Sequence, residues 1–247
     1  MNNVGINAVM CISIILGFSV SPIRAELTNS LFFYAPYEET LQNTVAGMEV
    51  ANAKIGDCGL TSEAARFGQG ALSVNGNAQQ DAGLLYEDEN NQFDFGDSDF
   101  TVSAWVRLSN VTDRQQIITM NRDSSVAALQ LRVQQGFLMA YFFGGNADGT
   151  LDFKARLDPA DWQDQWVHMA FVCSRAEGGR LYVNGVERAA LPRISTRYAA
   201  KAANIRVGSY GASKGLSLRN ALVDEVAVWK RALSADEVAE LQKKALK

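Results

Sequence analysis

Paired carboxylates set the first question, because glycoside cleavage needs two of them facing one cleft, about 5–10 Å apart. Residues that share a strand face are spaced two apart, and no Glu-x-Asp-x-Glu pattern lies on an apolar alternating run of this chain. Glu87-Asp88-Glu89 is the nearest approach, but neighbouring strand residues point to opposite faces, and the run reads as a solvated turn. Asp224-Glu225 is expected to split in the same way. His168, the one histidine, stands between Trp166 and Ala170 with no serine or cysteine in a motif it could activate. It reads as a sheet-face histidine and not as a base. Asp158, Asp161 and Asp164 have the acid density of a metal loop but lack the glycine and terminal glutamate of an EF-hand, and read as a polar connection. This inventory points away from an enzyme.

The elements that position these residues are strands. Between Gln165 and Leu191 two apolar runs, Trp166 to Cys173 and Leu181 to Val183, are joined by a turn holding Gly178 and Gly179. Asn184-Gly185 then reverses the chain into Val186 to Leu191, a pairing that fits a two-residue turn with positive φ at both positions. The first strand is apolar on both faces and is expected to be covered on both. Phe100 to Leu108 alternates strictly, with Phe100, Val102, Ala104, Val106 and Leu108 on one side. Further short strands are expected at 31–34, 45–50, 71–74, 82–86, 116–120, 127–133, 137–143, 151–155, 205–208 and 222–229. One helix follows Ser234, with Glu237 completing a capping box, Leu233 and Val238 forming a hydrophobic staple, and docking expected on the rim of the body. Many strands and no helix between them predict an all-β fold, an antiparallel two-sheet jelly-roll sandwich with a short C-terminal helix.

Composition excludes some partners. Twenty-three basic against 27 acidic residues, with no basic cluster, carry no phosphate-binding stripe, so nucleic acid is not expected. Val9 to Val20 is a short apolar run followed by Pro22 and Ala25, which reads as a secretory signal peptide over 1–25, although no Lys or Arg precedes the run. Residues 26–247 then form one domain, and cleavage removes Arg24, leaving 22 − 27 or a net charge of −5. The expected location is secreted, periplasmic or extracellular, with membrane attachment only if the segment is retained. In an oxidising compartment Cys58 and Cys173 are readable as one disulfide, the alternative being two unpaired thiols with Cys173 packed in the core.

With the strands placed, the order FTVSAWV (100–106), QWVHMAF (165–171), LYVNGV (181–186), IRVGS (205–209) and LVDEVAVWKRALSADEV (222–238) resembles the laminin G-like and pentraxin-like group of the concanavalin A-like lectin/glucanase jelly rolls. The resemblance implies about a dozen strands, binding of glycans or proteins, and often a calcium ion. The loop at 209–220 carries no carboxylate, which speaks against a pentraxin-type double calcium site. A single structural calcium would draw on Asp224 and the turn around Asn75, since hard cations take carboxylate and carbonyl oxygens.

A sugar site needs an aromatic face flanked by amides, carboxylates or arginines. The loop candidates are Asn121, Arg122 and Asp123, then Asn146 and Asp148, with Trp162 and Tyr210 as stacking platforms. The resulting expectation is an exported, non-catalytic binding domain for carbohydrate on a polymer or surface. A protein-interaction or adhesion module is the alternative, and a hydrolase comes third.

Overall fold

The computed structural model describes residues 26–48, 50–87, 92–121, 127–143, 150–192, 194, 204–211 and 214–246. The expected signal segment lies outside them. The described strands are β1 (Leu31–Ala35), β2 (Ala51–Ile55), β3 (Cys58–Thr61), β4 (Ala71–Val74), β5 (Gly83–Glu87), β6 (Phe100–Leu108), β7 (Gln115–Asn121) and β8 (Ala127–Gln134), followed by β9 (Phe137–Phe143), β10 (Thr150–Arg156), β11 (Trp166–Ser174), β12 (Gly178–Val183), β13 (Val186–Leu191), β14 (Asn204–Val207) and β15 (Ala221–Trp229). Two short helices, α1 (Pro159–Trp162) and α2 (Ala235–Glu240), complete them. The strands form two antiparallel sheets. The eight-stranded sheet runs β13-β12-β11-β6-β15-β4-β3, with β1 beside β4 on the same side of β15; the seven-stranded sheet runs β10-β9-β8-β7-β14-β5-β2. This is the expected jelly-roll class, with fifteen strands where the resemblance implied about twelve.

Alternation decides what lies between the sheets. Val167, Met169, Phe171 and Cys173 of β11 face Leu129, Leu131, Leu138 and Phe142 of the other layer within one core. Phe171 meets Phe153 edge-on at 5.0 Å and packs near Phe100 at 6.1 Å and Phe142 at 6.4 Å, so four rings lock the layers together. The opposite face of β11 is covered too, as its two-sided apolarity predicts. Ala170 and Val172 lie in a second cluster with Tyr182, Trp229, Val238, Leu241 and Leu246. Helix α2 therefore docks on the outer face of the eight-stranded sheet and not on the rim, because Val238 and Leu241 find an apolar surface there. Its start is as read: Ser234 Oγ accepts from the Glu237 amide at 3.2 Å and the Glu237 carboxylate accepts from the Ser234 amide at 2.9 Å.

Three local readings are corrected. The described residues of the expected strand at 45–50 form no strand, the chain turning at 46–47, and β2 begins at Ala51. Asn43 causes this: its Oδ1 accepts from the amides of Tyr34 and Val45, and its Nδ2 donates to the Met48 carbonyl, satisfying groups that a ladder would use. The polar connection after Leu157 contains α1, where Asp158 Oδ1 accepts from the Ala160 amide and Pro159 opens the turn. The disulfide is not formed. Cys58 and Cys173 are unpaired and buried. They sit on β3 and β11 of one sheet with β4, β15 and β6 between them, and four strand spacings of about 4.8 Å far exceed the reach of a disulfide. Burial pushes the Cys173 thiol up to about 12 and raises that of Cys58.

The Asn184-Gly185 turn is as expected, with φ of 46° and 69°. It also does more: Asn184 Oδ1 accepts from the His168 amide at 2.9 Å, tying the hairpin to β11.

Candidate binding site

Acids of β15 come first, because they carried the catalytic question. Strict alternation would separate Asp224 from Glu225. Instead the β15–β6 register shifts between Asp224 and Ala227, and Glu225 adopts a φ of +52°. This bulge places both acids on the outer, C-terminal side of the eight-stranded sheet. They are buried and engaged: Asp224 Oδ2 accepts from the Arg66 and Phe67 amides at 2.9 and 3.3 Å, and Oδ1 from the Glu225 amide at 2.8 Å. Glu225 accepts from the Tyr34 hydroxyl at 2.7 Å and from the Leu246 amide at 3.3 Å. Burial, and then the neighbouring Glu225, push the Asp224 carboxyl up to about 7. Above them His168 packs against Trp105 with ring centroids 5.3 Å apart, while the Arg66 guanidinium lies 4.1 Å over the Trp105 ring. Burial and then the Arg66 charge lower His168 to about 3, so it is a neutral packed imidazole. Glu225 thus pins the C-terminal segment to the sheet, and Asp224 holds the 66–67 backbone.

Asn75 and Asp224 are not brought together. Ala221 pairs with Val74, so Asn75 continues beyond the start of β15 while Asp224 lies three residues inside it. Asn75 Nδ2 donates to Asp57 at 3.0 Å.

The outer face of the seven-stranded sheet has a different character. Leu129, Leu131 and Val133 of β8 point into the core, which turns Gln130 and Arg132 outward. Cross-strand pairing builds two rows. One runs Asp152, Tyr141, Gln130, Thr119, Arg206, Leu85; the next runs Lys154, Met139, Arg132, Gln116. Gln130 Oε1 accepts from Gln116 Nε2 at 3.1 Å and from Arg132 at 3.0 Å, and the Arg132 guanidinium lies 4.6 Å over the Tyr141 ring. The two expected residues that the structure does juxtapose belong here: Asn121 Nδ2 donates to the Tyr210 carbonyl at 3.0 Å, and Arg114 lies 6.0 Å from the Tyr210 ring.

Among the described residues, this face and the loop beside it hold most of the buried side-chain polar atoms without a hydrogen-bond partner in the protein. Among the described residues, eleven buried side-chain polar atoms lack a hydrogen-bond partner. Seven belong to Arg114, Gln116, Asn121, Arg132, Asn204, Arg206 and Ser209, all on this face or the loop beside it. Among the described residues, the outward carboxylates of this face are far apart. The two acids on the outward side of these described strands, Asp152 and Glu87, are on β10 and β5, five strand spacings or about 24 Å apart, against the 5–10 Å that either glycosidase geometry requires.

The remaining expectations divide. Arg122, Asp123, Asn146, Asp148, Asp88 and Glu89 lie outside the described residues. Trp162 is not an open stacking platform: α1 turns it inward, leaving it 6% exposed and part of the core. Its edge borders a cavity of about 410 Å³ where Arg156 and Arg188 are balanced by Asp158 and Asp161. A larger cavity of about 730 Å³ is lined by residues 42–48, Val50, Ala51 and Glu87, with no aromatic ring. Gln116, Gln130, Arg132 and Tyr141 were missed because they lie mid-strand, and polar residues at alternate strand positions read as ordinary solvent-facing ones. Arg132 flanked by apolar neighbours at 131 and 133 was the available signal.

Comparison with known proteins agrees with this architecture. Residues 68–239 match the laminin G-like model described as concanavalin A-like lectin/glucanases superfamily. Over 94 residues the chain is 30% identical to the human adhesion G-protein coupled receptor D1, covering 37% of this chain and 10% of the receptor. Among solved structures, the binding domain of botulinum neurotoxin DC in complex with rat synaptotagmin II superposes with a TM-score of 0.70 at 14% identity, over 87% of this chain and 51% of that one. A structure of botulinum neurotoxin type C, whose cell entry depends on interaction with two ganglioside molecules, gives 0.71 at 12% identity, over 88% and 52%. The chain thus spans about half the length of these structures and a tenth of the receptor.

Proposed function

Because the chain belongs to the concanavalin A-like lectin/glucanases superfamily, we propose that it is a non-catalytic carbohydrate-binding module acting outside the cytoplasm, with its site on the outer face of the seven-stranded sheet. The observation that carries this reading is the outward-facing set of Gln116, Gln130, Arg132 and Asn121 on neighbouring strands, beside the partly exposed rings of Tyr141 and Tyr210. Sugars are recognised by this combination of amide and guanidinium groups for hydroxyls and a ring face for the apolar side of the pyranose. The wide separation of Asp152 and Glu87 supports recognition without cleavage. A glycan array tests it: saturable binding that falls about tenfold or more in Gln130→Ala and Tyr141→Ala supports the site, and absence of glycan binding overturns it.

A protein partner is the second reading, favoured by edge strands with exposed apolar residues. Val186 on β13 is 53% exposed and Leu60 on β3 is 42% exposed. Both strands lie at ends of the eight-stranded sheet, where unpaired backbone groups accept an added strand. Val186→Lys would weaken such an association and leave glycan binding unchanged.

A further inference from the structure

We infer that the cavity beside Trp162, at one edge of the sandwich, is a second binding site, and that its ligand is a small zwitterion of the α-amino-acid class with an apolar side chain. It is separate from the outer sheet face and does not depend on the glycan reading above.

The cavity, about 410 Å³, falls within the roughly 300–1,000 Å³ usual for small-molecule sites. Both sheets build it. Arg156 ends β10, the edge of the seven-stranded sheet, while Val183 and Arg188 belong to β12 and β13 at the edge of the eight-stranded sheet. These edges pack against each other, and α1 adds Asp161 and Trp162. Leu157, Trp162 and Val183 are buried members of the core between the layers, so the floor is apolar. The rim is charged. Asp158 lies in extended backbone, so Arg156 and Asp158, on either side of the inward Leu157, share the outward side. Asp161 follows three residues on, at the first turn of α1. Arg188 comes from across the edge. The β12–β13 register jumps from Leu181–Ala189 to Tyr182–Glu187, which leaves Arg188 as the extra residue of a β-bulge, a device that re-aims the side chain it carries.

All four charged residues are exposed, and among the described residues no ion pair joins the two arginines to the two acids. Two cations and two anions cancel, so a ligand with one sign of charge is repelled by half of the rim. A molecule carrying both charges close together satisfies both halves. The guanidinium groups pair with its carboxylate through parallel N–H donors. Asp158 already caps α1, its Oδ1 accepting from the Ala160 amide at 3.0 Å, which leaves Asp161 as the main acceptor for an ammonium group. The floor then takes an apolar side chain out of water.

Calorimetry on the full chain tests this with L-leucine and L-phenylalanine, each beside its N-acetyl form, which keeps only the carboxylate, and its amide, which keeps only the ammonium. At least one of the two free amino acids is expected to bind about tenfold or more tighter than either of its blocked forms, and tighter than glycine, which has no apolar side chain. Arg188→Gln is expected to reduce chiefly the preference over the amide, and Asp161→Asn chiefly the preference over the N-acetyl form. Both positions are exposed, so both variants are expected to keep the thermal transition of the native protein. A residue with only a structural role would lower all affinities alike. Equal losses for all ligands in both variants, blocked forms within about twofold of the free amino acids, or no saturable binding up to about 10 mM would overturn the assignment. None of these results bears on the glycan site.

Discussion

At the scale of single residues, the buried acid of β15 makes a prediction about pH. The folded-state value of Asp224 is raised to about 7 from 3.8, so the native state holds a proton that the unfolded chain releases. Its contribution is fully favourable below about 3.8 and is lost as pH rises through 7. His168 works oppositely: its value falls from 6.5 to about 3, so stability is present above 6.5 and lost as pH falls. The two slopes oppose each other between about pH 4 and 6.5. Asp224→Asn exposes the histidine slope, and relative to the native chain it is expected to gain about 2–3 kcal/mol between pH 4.5 and 7. Denaturant titrations at the two pH values check this. Equal differences at both would refute the assignment. The thiols give a second test: burial and separation predict that Cys58 and Cys173 both alkylate in denaturant without reductant, and almost not at all in native protein.

Among the elements, α2 and the 208–211 loop are the sensitive ones. Ser234→Ala removes an oxygen that caps the Glu237 amide, and is expected to cost about 1 kcal/mol in thermal or denaturant unfolding. Gly211 has a φ of +87° and sits against Arg206. Gly211→Ala should therefore cost roughly 1–2 kcal/mol and lower glycan affinity through the displaced guanidinium, an effect read by calorimetry on the folded variant. Strands of this kind were legible in the sequence where alternation was strong. Phe100–Leu108, Trp166–Ser174 and the Asn184-Gly185 turn were all readable. What could not be read was side-chain competition for backbone, as at Asn43, and the bulge at Glu225, where a residue with no turn signature adopts a left-handed conformation.

For the whole molecule, the cross-layer aromatic cluster binds the sheets into one body. Phe171→Ala opens a cavity among Phe100, Phe142 and Phe153 and is expected to cost about 3–5 kcal/mol, unfolding both sheets together. The candidate site was only half legible at this scale. Loop chemistry pointed to Asn121 and Tyr210, which do lie together, but the polar floor depends on which of seven strands are neighbours. Gln116, Gln130 and Arg206 are far apart in sequence and meet only through that pairing order. Trp162 shows the converse, an aromatic with the right type in a polar segment that a capped turn rotates into the core.

The most direct measurement is two-dimensional amide NMR on the labelled protein titrated with a glycan selected from the array. The account predicts shift changes concentrated on β7–β10 and residues 209–211, saturating with one affinity and strongly weakened in Gln130→Ala and Tyr141→Ala. Changes confined instead to the β12–β13 hairpin, to the Trp162 cavity or to the surface beneath α2 would contradict it.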